Sequence, residues 1–153
     1  TSWDAWCQRS GGSAQIKLKD PQSDAVHRKV RTILDRLLND PDSGVMEVLT
    51  RNEAAVRKGF PEADYVIISK PGYEIREDII GEYYSPAVFQ KAQHGYAEEL
   101  PDMRASFYME GVNIPEKNDI GELDLVDIAP TLAHIMGFSM PAAEGKNRLP
   151  ALD

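Results

Sequence analysis

Cysteine is almost absent from the chain. The single residue, Cys7 in 153 positions, excludes an internal disulfide and any cysteine-rich zinc module. Basic residues are outnumbered, 17 Lys and Arg against 25 Asp and Glu, which gives a formal net charge of −8. Affinity for a phosphate backbone comes mainly from clustered Lys and Arg, so no nucleic-acid polymer is expected as a partner. No apolar run reaches the ~18–20 residues of a membrane-spanning helix, and no membrane association is expected. The G-x-S-x-G elbow, the phosphate-cradling P-loop and the H-E-x-x-H zinc helix are all missing, which leaves few nucleophile signatures. Thr1-Ser2-Trp3 has neither a basic n-region nor an apolar h-region, as in a processed chain or a piece of a longer one.

What remains is ample for a folded domain. Apolar residues make up 42% of the chain, and a chain of this length buries about 68–70% of its unfolded surface. Ser10-Gly11-Gly12-Ser13 reads as a flexible turn, and 14–19 alternate with the period of a half-buried strand. Val26, Val30, Ile33, Leu34, Leu37 and Leu38 draw one apolar helix face, opened by Ser23 or Asp24 and closed by Asp40-Pro41-Asp42-Ser43-Gly44. Val45 to Leu49 reads as a short strand, and 52–58 as a helical turn stopped by Gly59. Residues 64–69 form a β-branched, buried run, and Tyr73 to Arg76 a further short strand. Residues 77–104 carry little periodicity, and long irregular excursions in compact domains are often functional. A strand is expected over 105–109. Asp124 is placed to cap a last helix with Leu125, Ile128, Leu132, Ile135 and Met136 on its core face. The order of elements is that of an α/β chain, with 64–69 and 105–109 in one sheet and the last helix packed on it.

Few side chains stand out chemically. Cys7 has no neighbouring His to activate it and reads as structural. His27 flanks the apolar stripe of the first long helix, beside Arg28 and Arg31, and reads as part of a solvated face. Asp127, Thr131 and His134 share a helix face opposite the core stripe. They could hold a metal, but a water-facing polar side is the favoured reading. Glu98-Glu99 and Glu122-Asp124-Asp127 read as solvated charges or caps rather than acid–base pairs. His94 differs, lying in Gln93-His94-Gly95-Tyr96 with a glycine that admits close backbone approach. A loop-borne metal ligand and an ordinary surface histidine both fit its spacing, and one imidazole alone does not make a zinc site.

Several short motifs, taken in order, resemble a known family. They are Trp3, Gly11-Gly12-Ser13-Ala14, the Arg51 to Gly59 segment, Pro71-Gly72-Tyr73, His94-Gly95-Tyr96, and Pro101-Asp102-Met103-Arg104-Ala105-Ser106-Phe107 followed by Gly111. The series closes with Val126-Asp127-Ile128-Ala129-Pro130-Thr131-Leu132 and Gly137. Together they resemble the C-terminal part of the type I phosphodiesterase / nucleotide pyrophosphatase family of the alkaline phosphatase superfamily, most strongly between 64 and 137.

The resemblance implies an α/β fold: the C-terminal segment of an alkaline-phosphatase-like fold, with a mixed sheet and helices packed on it, spanning 1–153 as a single unit. It implies a hydrolase of phosphodiester, nucleotide pyrophosphate or related phosphoryl bonds that uses two zinc ions and a Thr or Ser nucleophile. His94 matches the family's loop histidine, a ligand of one metal. The family's nucleophile and its other ligands have no counterpart in 1–153. The chain is therefore expected to be catalytically silent alone, to hold no zinc by itself, and to partner the upstream part of the same polypeptide. A small phosphoryl-ester substrate and a periplasmic or extracellular location follow from the resemblance alone. Missing upstream strands would also leave a sheet edge open to self-association. Two alternatives stand: a non-enzymatic interaction or regulatory module on the same scaffold, and a phosphonoacetate-hydrolase or sulfatase-like relative.

Overall fold

Two adjacent glycines fold the first strands of the structure into a hairpin. The computed structural model describes residues 2–78, 80–86, 90–112, 114 and 119–149. Strand β1, Ala5–Ser10, and strand β2, Ser13–Leu18, pair antiparallel from Ser10↔Ser13 outward. Gly11 sits at φ +64, the backbone that the first position of a two-residue hairpin turn demands. The segment is thus a turn, as expected, and closes a tight hairpin. Strand β1 is not foreshadowed by any clean periodicity, and its side chains are half-buried or exposed along its length.

Helix α1, Asp24–Asn39, starts where Ser23 accepts the Val26 amide and stops at Asp40. Val30 and Leu34 of its apolar stripe are buried. Strand β3, Val45–Thr50, runs into the short helix α2, Arg51–Val56, through a capping box in which Thr50 and Glu53 bond reciprocally. Gly59 is not the left-handed residue at the helix exit. Lys58 and Phe60 take positive φ on either side of it, while its own amide bonds the Ala54 carbonyl. Strand β4, Tyr65–Ser69, is buried at every position, as its unbroken β-branched core suggests.

The four strands lie in the order β1-β2-β4-β3, and every neighbouring pair is antiparallel. The expected mixed sheet is corrected here. Strands β2 and β3 do run in the same direction, joined across α1, but β4 lies between them and pairs antiparallel with both. Two cores result. Ile16, Leu18, Val30, Leu34, Val45, Tyr65 and Ile67 pack between the sheet and α1. Leu49, Ala54, Ala63, Val66, Ile68 and Ala97 fill the opposite side, under α2 and the segment around Ala97. A bulge between Val45 and Glu47 inserts one residue, so Val45 and Val48 both reach the α1 side despite their odd spacing.

The chain forms two compact units, residues 1–105 and 106–153, the sheet belonging to the first. In the second, a 3-10 turn at Leu125–Asp127 leads into helix α3, Ile128–Ile135. Asp124 makes no side-chain cap bond. Residues 105–109 join no strand, and Tyr108 is 89% exposed. Tyr73 to Arg76 is likewise not a strand, although the Ile75 amide bonds the Gly11 carbonyl. The expected sheet containing both 64–69 and 105–109 is corrected with that strand.

Helix α3 buries its polar side, against expectation, while Ile128 and Ile135 of the expected core face are half-buried. Asp127 and Thr131 are buried, while Leu125 is 80% and Met136 72% exposed. The reason is hydrogen bonding. The segment after the helix returns along its polar side, the Lys146 amide donating to Asp127 at 2.9 Å and the Arg148 amide to Thr131 at 3.1 Å. A buried carboxylate and hydroxyl are tolerated when they are paired in this way.

Candidate functional site at the His94 loop

Glycines bring the His94 loop against the first hairpin. The Gly12 amide donates to the His94 carbonyl at 2.7 Å, and the Gly12 carbonyl accepts the Ser69 amide at 2.8 Å. A Cβ on Gly11 would overlap the His94 carbonyl oxygen, and one on Gly12 would enter the Tyr96 ring. On Gly95, which sits at φ +84, it would overlap the Ser10 carbonyl oxygen. Only bare backbone allows the two segments to come so close. Just beyond, Ala97 is buried in the second core, which fixes the loop at its C-terminal end.

The His94 side chain is exposed on the rim of an open, polar depression shared with Arg9, Glu77, Gln90 and Gln93. Arg9 is held by Glu74 at 3.2 Å and Glu77 at 3.7 Å. Burial, and then the Glu77 carboxylate, push the Cys7 thiol above its ordinary pKa, so this cysteine is a poor nucleophile at neutral pH. Among the described residues, no three His, Cys, Asp or Glu side chains gather as a metal-ligand set.

The other residues singled out in the sequence serve structural ends. His27 is half-buried and not merely solvated. Its Nε2 lies 3.0 Å from the Pro21 carbonyl, which can only accept, so Nε2 donates there, and Nδ1 is hydrogen-bonded to the Tyr65 hydroxyl at 2.8 Å. His134 does not face water with both nitrogens; its Nε2 is buried and has no hydrogen-bond partner among the described residues. Glu98 and Glu99 lie 4.0 and 3.8 Å from Arg57, which also grips Glu47 through two bonds of 2.8 Å. In the helix-entry cluster, Asp127 is buried against Arg148 at 3.5 Å.

Sequence reasoning missed a second buried carboxylate, in the first unit. Asp64 is buried, accepting the Leu18 amide at 2.7 Å on one oxygen and the Arg51 guanidinium at 2.6 Å on the other. An acidic residue at the head of a fully apolar strand was the available signal, because a charge there needs a partner.

Among the described residues, no helix is long and apolar enough to cross a membrane. Compared with protein families, with curated proteins and with solved structures, the chain matches none.

Proposed function

We propose that the chain is the C-terminal part of a metal-dependent hydrolase of phosphodiester, nucleotide pyrophosphate or related phosphoryl bonds, built on an alkaline-phosphatase-like fold. One observation supports this reading above others. Gly11-Gly12 and His94-Gly95-Tyr96, far apart in sequence, are two of the segments that carry the family resemblance, and they interlock through backbone. That packing holds the His94 main chain in place and leaves its imidazole free at the rim of a polar depression. In this reading His94 is one ligand of a zinc pair, and the remaining ligands and the nucleophile come from the upstream part of the same polypeptide. Zinc, when bound, neutralises phosphoryl charge and acts as a Lewis acid. This chain's own contribution is to orient one imidazole, with Arg9, Gln90 and Gln93 lining the approach. Strand β1 is the outermost strand on its side of the sheet, and its outer edge is where an upstream strand would add.

Two preparations test the proposal. Residues 1–153 with added zinc should leave a p-nitrophenyl phosphodiester unhydrolysed. A chain extended upstream should hydrolyse it, and His94→Ala in that chain should lower zinc content and turnover together. Full zinc and full activity after the substitution would remove His94 from the site, and an inactive, zinc-free extended chain would remove the hydrolase.

A further inference from the structure

Strands β2 and β3 run in the same direction, and their carboxyl ends lie on either side of the start of β4, where Tyr65 pairs with both Ile16 and Thr50. From there the chain leaves toward opposite faces of the sheet, to α1 after β2 and to α2 after β3. Connections that part in this way open a crevice beyond the strand ends, the usual place for a ligand in an open α/β sheet. A cleft of about 440 Å³ lies there, within the size range of small-molecule sites. It is at the opposite end of β2 from the His94 loop, which packs on the Gly11-Gly12 turn.

Hydrogen bonds fix its walls. His27 is tied to the Pro21 carbonyl and to the Tyr65 hydroxyl, which holds the connection between β2 and α1 against β4. The Asp64 side chain is only 6% exposed. One of its oxygens is taken by the Leu18 amide, so Arg51 Nη2 is bound by the other oxygen alone, at 2.6 Å. That single contact decides what Arg51 can still do. A guanidinium has two edges, each with a parallel pair of N–H donors. One contact to Nη2 occupies one edge and leaves the other whole. The Arg51 side chain is 52% exposed and borders the cleft. Gln22 and Asn52 border it too, and among the described residues neither side-chain amide has a hydrogen-bond partner.

These properties select among ligand classes. A two-donor edge fits one carboxylate. Asp64 offsets part of the Arg51 charge, so the cleft suits a single negative charge better than a phosphate dianion. The two amides each offer a donor and an acceptor, and hydroxyls answer both. Tyr65 is 7% exposed, which leaves little aromatic surface for an apolar substituent. The volume admits several hydroxyl-bearing carbons beyond the carboxylate.

We propose that Arg51, positioned by Asp64, and the side-chain amides of Gln22 and Asn52 form a binding site for a small hydroxylated monocarboxylate. The carboxylate sits on the second edge of Arg51, and the hydroxyls bond the two amides. The site does not depend on the phosphoryl chemistry proposed for the His94 loop. One guanidinium edge and a few neutral hydrogen bonds in an open cleft correspond to a dissociation constant on the order of 1 mM.

D-gluconate is the probe. Titrated into the chain at constant ionic strength, it should shift the Arg51 Nε–H resonance and the side-chain amide resonances of Gln22 and Asn52, saturably and together. Arg51→Lys keeps a cation for Asp64 but has no planar fork, and should weaken binding about tenfold as read on the two amides. Asn52→Ala, at an exposed position that does not threaten folding, should weaken it several-fold. Sorbitol, which lacks the carboxylate, should give no saturable shift, and inorganic phosphate should bind more weakly than gluconate. Absence of a saturable shift with gluconate, parent-like binding by Arg51→Lys, a matching response to sorbitol, or tighter binding of phosphate would overturn the proposal.

Discussion

Gly95 lies so close to Ser10 that a methyl group on its Cα would occupy the position of the Ser10 carbonyl oxygen. Its left-handed φ of +84 adds a second penalty for any other residue. Gly72, at φ +90, has nothing near its missing Cβ. Gly72→Ala should therefore cost only the backbone term, about 1 kcal/mol, and Gly95→Ala clearly more, because backbone must also move. Urea unfolding of the two variants measures the difference, and equal midpoints would show that the contact between hairpin and loop gives way freely.

Asp64 supplies the second prediction. Asp64→Ala strands the buried Leu18 amide and releases Arg51, at a cost of about 1–3 kcal/mol. Asp64→Asn keeps an acceptor for Leu18 and should cost less. An equal loss for the two variants in chemical denaturation would mean that the Arg51 ion pair, which both remove, and not the bond to Leu18, carries the stabilisation.

The buried polar side of α3 can be tested by two substitutions a half-turn apart. Asp127→Ala removes the acceptor for the Lys146 amide and the partner of Arg148, and should destabilise the second unit by about 1–3 kcal/mol. Leu125→Ser, at an 80% exposed position, should stay within about 0.5 kcal/mol. Hydrogen-exchange protection of the α3 amides reads both, and the opposite ranking would restore the conventional apolar-inward helix.

Acid should loosen the start of α2. The Thr50 amide, and after it the Thr50 hydroxyl, donate to the Glu53 carboxylate and hold its pKa below the ordinary glutamate value. A carboxylate with a lowered folded-state pKa stabilises above its unfolded pKa of about 4.3, and that contribution fades as pH falls through the folded value. Glu53→Gln should therefore be less stable than the parent near neutrality and lose less on acidification. Parallel acid limbs in pH-dependent unfolding would remove the capping box from the pH response.

Elements with a repeating signal were legible in the sequence. The stripe from Val26 to Leu38 and the run from Val66 to Ile68 each announce their structure through one periodicity, and both formed where expected. Strand β1 was missed because an edge strand with one half-exposed face shows no clean alternation. The run at 105–109 failed for the converse reason: an apolar stretch reads as a strand whether or not a partner lies beside it. The buried polar side of α3 could not be read from periodicity, because it depends on bonds to residues 146–148 that the helix sequence does not encode. At the candidate site, the glycines signalled close approach, but which backbone approached which was set by tertiary packing.

The central position of β4 has a consequence for the order in which the chain can fold during synthesis. The strand in the middle of the sheet is the last of the four to leave the ribosome. Until Ser69 emerges, β2 and β3 have no strand between them, and only the first hairpin, α1 and the short capped helix α2 can form from local contacts. The core between sheet and α1 lacks Tyr65 and Ile67 until then, and the opposite core lacks Val66 and Ile68. The core on the α1 side gains its central strand when this five-residue segment joins the two waiting strands, while the opposite core must also wait for Ala97.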